Sequence, residues 1–149
     1  MNQRRVAVRG IIVHEAKLYA QRLHDESQGT TNEYWSTPGG GLDYGEDLLG
    51  GLTREIIEET GVSPKIGQLL LVQQFMSKGV EQLEFFFLIE NSADFLDVEL
   101  ISTTHGTIEI AEHGFVDPSA THILPSLLCE LRLSELTQPG VPAKIISYL

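Results

Sequence analysis

Three glutamates, Glu55, Glu58 and Glu59, fall at i, i+3 and i+4 in one segment of the chain. On a helix turning about 100° per residue they share one narrow sector of the surface. Like charges at this spacing destabilise an isolated helix by roughly 0.2–0.5 kcal/mol per pair. A hard divalent cation removes that repulsion and takes oxygen ligands from carboxylates, carbonyls and water. No histidine lies in the segment, and the one cysteine, Cys129, is far from it in sequence. The donor set therefore favours Mg²⁺ or Mn²⁺ over zinc or copper. Taken alone, the trio reads more readily as a solvated acidic helix face, with Arg54 as an ordinary surface partner.

The elements that must position these side chains can be read from pattern. A helix is predicted from about Asp47 to Thr60. Glu46 and Asp47 suit its positive end, Leu49, Leu52 and Ile56 form an apolar stripe, and Gly61 stops it, with Pro64 just beyond. Strands are predicted over Arg5 to Val13, Lys17 to Leu23, Tyr34 to Ser36, Ile66 to Met76 and Glu81 to Ile89, the last two joined by a Lys78-Gly79 turn. Further strands are predicted over Asp97 to Thr103 and Glu112 to Val116, and a second helix from about His122 to Leu133. The polar stretch Asp25 to Asn32 reads as a loop, and Gln138 to Leu149 stays unplaced. Strand-rich segments on both sides of one strong helix imply an α/β (α+β) fold with a mixed sheet, in one domain spanning residues 1–149.

The segment from Gly40 to Val62 resembles the Nudix box. Gly40, Glu46, Arg54, Glu55, Ile56, Glu58, Glu59, Gly61 and Val62 match its defined positions at the right spacing. The lead-in from Trp35 to Gly39 and the following Leu42 are also similar to the family's. The resemblance implies an α/β/α sandwich with a catalytic loop-helix-loop. It implies that Glu55, Glu58 and Glu59 hold Mg²⁺ or Mn²⁺, with the Gly40 carbonyl as an added ligand. Arg54 would orient the glutamates, and Glu46 would support the loop. Arg54 reads equally as an ion-pair partner only. The activity implied is hydrolysis of a phosphoanhydride.

A further glutamate often joins such sites from a later loop, six residues before an aromatic-apolar pair. Glu109 stands six residues before Phe115-Val116, with Glu112 as the competing candidate. Arg22 lies where some members of the family contact phosphate. Arg5 and Arg9 share parity on the first strand, so both face a substrate cleft or both face water. Trp35, with Tyr34 and Tyr44, could stack on a base or serve packing. The five histidines show no metal-ligand spacing.

A net charge of −11 argues against binding a nucleic-acid polymer. No apolar run approaches the roughly 20 residues of a membrane helix. A single cysteine allows no internal disulfide, so a cytoplasmic location is expected. The partner expected is a small-molecule nucleotide, and a homodimer is left open. Where ADP-ribose enzymes of the family often carry a proline, Lys78 stands here, and the signatures of the dinucleoside polyphosphate, NADH and coenzyme A groups are absent too. The expected substrate is a nucleoside diphosphate linked to another moiety, such as a nucleotide sugar. The alternative is an oxidised or ordinary nucleoside triphosphate. A reading of another class, a nucleotide-sensing domain without catalysis, sits poorly with a complete box.

Overall fold

The computed structural model describes residues 2–25, 29–100, 109–130 and 132–149. Its spine is a five-stranded mixed sheet. In chain order, that sheet takes β1 (Arg4–Ile11), β6 (Gly39–Gly41), β7 (Ile66–Ser77), β8 (Val80–Ile89) and β11 (Lys144–Ser147), arranged β11-β7-β8-β1-β6. β1 runs parallel to β8, and β7 and β8 form an antiparallel hairpin. Lys78 and Gly79 turn that hairpin with φ of 50° and 78°. These are the left-handed values that a tight hairpin needs.

A second sheet is built on β3 (Lys17–Asp25). It pairs with β2 (Val13–His14), β4 (Thr30–Thr31), β5 (Trp35–Ser36) and β9 (Ile110–Val116), and β10 (Ile123–Leu124) joins β5 in parallel. Helix α1 (Leu48–Thr60) covers one face of the main sheet. Its Leu52 and Ile56 pack with Val8, Ile12, Phe87 and Ile89. On the other face Ile11, Leu71 and Phe86 pack with Leu18, Ile123 and two short helices, α2 (Leu127–Glu130) and α3 (Leu133–Leu136). Helices thus lie on both sides of a mixed sheet, as the expected α/β/α sandwich requires. The inner strand β1 is covered on both faces at Ala7, Val8 and Ile11, while Arg4 and Arg5 at its start are exposed and Arg9 is partly buried.

Local signals set α1 closely. Asp47 caps it by accepting from Gly50 N at 2.6 Å, and Gly61 ends it at φ 75°. Two other expectations are corrected. His122 to Leu133 is not one helix, because Pro125 drives Leu124 out of the helical region. Leu124 extends instead, and the chain forms β10 before two short helical turns. Of the strand expected over Asp97 to Thr103, residues 97–100 join no strand, and the remainder lies outside the described residues. The unplaced tail supplies β11, which pairs with Leu71 to Gln74 of β7.

Candidate active site

The glutamates of α1 meet the start of β6. Glu55, Glu58, Glu59 and Gly40 line a cavity of about 290 Å³ together with Arg5, Arg9, Leu23, Gly39, Gly41 and Glu109. Helix spacing brings the carboxylates to one face. The antiparallel pairing of Val8 with Gly40 then lays the glycine segment alongside them. Gly39 admits no side chain, and at Gly40 a Cβ would push the Glu55 carboxylate aside. A Cβ on Gly39 would stand 2.0 Å from the Val8 carbonyl oxygen, and one on Gly40 would stand 2.7 Å from the Glu55 carboxylate.

Each glutamate is held differently. Glu59 is 5% exposed. One of its oxygens accepts from Gln21 Nε2 at 2.8 Å and from the Gly39 backbone N–H at 3.1 Å. Burial raises its pKa to about 8, against the lowering effect of these two donors and of the Arg9 charge. Burial also raises Glu55, opposed by Arg54, while the Glu58 and Glu109 charges push it further up. Arg54 grips Glu46 through Nε and Nη2, both at 2.8 Å. Its Nη1 reaches Glu55 at 3.1 Å and Glu58 at 3.3 Å. This hydrogen bonding holds Glu46 at about 2, well below the ordinary carboxylate value. Arg54 is thus ion-paired with Glu46, Glu55 and Glu58 at once.

Among the described residues, no three His, Cys, Asp or Glu side chains stand in a ready-made metal-binding cluster. Arg54 draws Glu55 and Glu58 toward itself, and Gln21 draws Glu59 inward. The chemistry of the lining still fits a hard divalent cation. Four carboxylates face two guanidinium groups around the cavity, a surplus of negative charge. A small cation offsets the cost of burying it. Behind Glu59, the Gln21 Oε1 atom is buried without a partner among the described residues, so its amide is committed to Glu59 through the other end.

The remaining sequence candidates divide. Arg5, Arg9 and Glu109 reach the cavity. The β3–β9 register shifts between Arg22 and Leu23, from Glu112 to Ile110, so that Ala111 is passed over just beyond Glu109. Such a slip re-aims neighbouring side chains. Glu112 turns away and pairs with Arg22 at 3.0 Å, and neither residue lines the cavity. Trp35 packs against the core cluster of Ile11, Phe86 and Leu128.

Sequence reasoning passed over Gln21, which contacts Glu59 from 38 positions away. It also passed over Gln73, Gln82 and Glu84, all buried. The signal for these three was present: polar residues interrupt apolar strands at alternate positions. Arg9 joins them to the site, with Nε 2.5 Å from Glu84 and Nη1 2.9 Å from the Thr37 carbonyl oxygen.

A sequence model of the NUDIX domain matches residues 3–124. A MutT-like protein of Streptomyces ambofaciens is 35% identical over 81 residues, which are 54% of this chain and 49% of that protein. The chain thus spans about half the length of that relative. Among solved structures, the MutT protein of Methanosarcina mazei Go1 superposes with a TM-score of 0.69 at 21% identity, covering 92% of this chain and 98% of that one. A UDP-X diphosphatase superposes with a TM-score of 0.67 at 22% identity, covering 97% and 68%. Gly40, Glu55, Glu58 and Glu59 of the box around one cavity, the sandwich that carries them and the domain match agree: the chain belongs to the Nudix family.

Proposed function

We propose that the protein is a divalent-cation-dependent hydrolase that cleaves the phosphoanhydride bond of a nucleoside diphosphate linked to another moiety, such as a nucleotide sugar. The observation that carries this reading is that Arg5 and Arg9 line two cavities at once. One holds the glutamates, and the other, of about 400 Å³, extends between the sheet and the segments around Tyr34 and Pro125. A diphosphate with a substituent at each end suits such a pair. Its phosphates lie against the guanidinium groups, and one substituent fills the larger space.

In this reading Glu55, Glu58, Glu59 and the Gly40 carbonyl hold Mg²⁺ or Mn²⁺. The cation supplies Lewis acidity toward phosphate oxygens and lowers the pKa of water. Arg54 keeps Glu55 and Glu58 oriented, Gln21 keeps Glu59 oriented, and Arg5 and Arg9 draw the anionic substrate in. Glu109, which lines the same cavity, takes a proton from the attacking water or adds a ligand. A second reading is a nucleoside triphosphate pyrophosphohydrolase, whose phosphates would meet the same arginines and glutamates. Among the described residues no helix is long and apolar enough to cross a membrane. The half-buried single cysteine supports a reducing compartment such as the cytoplasm.

A hydrolysis screen over nucleotide sugars, dinucleotides and triphosphates, with products identified by mass, tests the proposal. Cleavage of a diphosphate-linked substrate with Mg²⁺, abolished by a chelator, is expected. Full activity after exhaustive chelation would exclude the cation's role, and comparable turnover of a nucleoside monophosphate would exclude anhydride specificity. Saturable binding without any cleavage would make the domain a sensor.

A further inference from the structure

The larger cavity gathers buried polar groups that the hydrolytic site does not use. Ser36, Gln73, Gln82 and Glu84 line it, and each is at most 9% exposed. On the sheet, Gln73 stands opposite Glu84, and Phe75 stands opposite Gln82, so these polar side chains form one wall. Their mutual contacts are long. Gln73 Nε2 reaches Glu84 Oε1 at 3.4 Å, Arg5 Nη1 reaches Gln82 Oε1 at 3.4 Å, and Gln82 Nε2 reaches the Val80 carbonyl oxygen at 3.5 Å. Good N–H···O bonds lie near 2.9–3.0 Å, and buried amides in folded proteins ordinarily achieve them. Only the Arg9–Glu84 pair is short. This wall is therefore held only by long contacts apart from that pair, and it borders an open volume.

The rest of the lining is of another kind: Tyr34, Phe75, Phe86, Leu124 and Pro125. A polar wall combined with flat apolar surfaces suits a planar ring with a polar edge. A sugar would leave hydroxyls against those apolar surfaces, and an aliphatic group would leave the amides unpaired. Arg5 and Arg9 line both cavities, so a ring bound here has its phosphates at the glutamates.

We propose that this cavity holds the nucleobase and that Gln73, Gln82 and Glu84 read its hydrogen-bonding edge. The assignment rests on the substrate being a nucleotide. Glu84, ion-paired to Arg9, offers only acceptor oxygens. It therefore favours a base that presents an amino group over one that presents a carbonyl at the same place.

The test is a titration of the metal-free protein, read by the NMR signals of the Gln73 and Gln82 side-chain amides. Cytidine 5′-monophosphate, uridine 5′-monophosphate and ribose 5-phosphate are the probes. Both nucleotides are expected to shift these signals saturably, cytidine binding about tenfold more tightly, since a well-made base contact discriminates by roughly 1–3 kcal/mol. Ribose 5-phosphate is expected to leave them in place. In Glu84→Gln, whose amide both donates and accepts, the cytidine preference should fall to near unity. Equal shifts with ribose 5-phosphate would put the sugar in the cavity and overturn the proposal. So would silence with both nucleotides, or an unchanged preference in Glu84→Gln. The wild-type titration decides the matter even if that variant does not fold. No hydrolysis is involved, so base binding without diphosphate cleavage would fail only the proposed reaction. Cleavage with silent glutamines would fail only this assignment.

Discussion

Gln21 Nε2 donates to Glu59 Oε2 at 2.8 Å, joining the middle of β3 to the last carboxylate of the helix. Both residues are buried, Gln21 at 1% exposure and Glu59 at 5%. The contact is a charge-assisted bond in a poorly solvated place. Such bonds contribute about 1.5–3 kcal/mol. Gln21→Leu leaves Glu59 with the Gly39 N–H alone and raises its proton affinity further. A cation must then displace a more tightly held proton. Isothermal titration with Mn²⁺ near pH 7 should show binding weakened by roughly tenfold or more. Unchanged affinity would mean that Gln21 only fills space.

Glu58→Gln and Glu59→Gln should each cut turnover of the hydrolysed substrate by several orders of magnitude while preserving the fold. The side chains are nearly isosteric, and removing charge from a crowded site relieves repulsion. Steady-state kinetics beside circular dichroism checks this. Near-normal turnover in both variants, with metal present, would place the catalytic centre elsewhere.

The raised pKa of Glu59 has a signed consequence for the metal-free protein. Between the ordinary value of 4.5 and about 8, the unfolded chain has lost this proton while the folded chain keeps it. Stability therefore falls as pH rises through that window and levels off above it. Glu46 acts oppositely. Its lowered pKa gives stability that is present above 4.5 and lost as pH falls toward about 2. Thermal melts without metal, from pH 5 to 9, should show the first slope in wild type and a flatter profile in Glu59→Gln. Apparent cation affinity should rise over the same range, because the cation competes with the Glu59 proton. A flat wild-type profile would contradict the burial argument.

Glu109→Gln should lower kcat more than it raises KM, and Glu112→Gln should be much milder. Glu109 lines the carboxylate cavity, whereas Glu112 is half-exposed and paired with Arg22. An exposed pair of that kind contributes about 0–1 kcal/mol. Kinetics in which Glu112 dominates would show that the loop acts with the other glutamate.

What the sequence determined by itself was local. Asp47, the apolar stripe, Gly61 and the three glutamates all lie within a few helical turns. Their mutual geometry therefore follows from helix repeat and capping alone. The hairpin at Lys78-Gly79 was legible for the same reason, since a tight turn states its own backbone requirement. Tertiary structure decided what depends on partners distant along the chain. Strand pairing set Gln21 against Glu59 and Arg9 against Glu84, contacts that no sequence period encodes. Packing also let β10 and β11 form from segments whose local pattern read as a helix and as nothing. For such short strands the deciding energy comes from the neighbouring strand rather than from their own residues. The carboxylate helix was thus written locally. The residues that hold Glu59 in place and line the adjoining cavity were assembled by the fold.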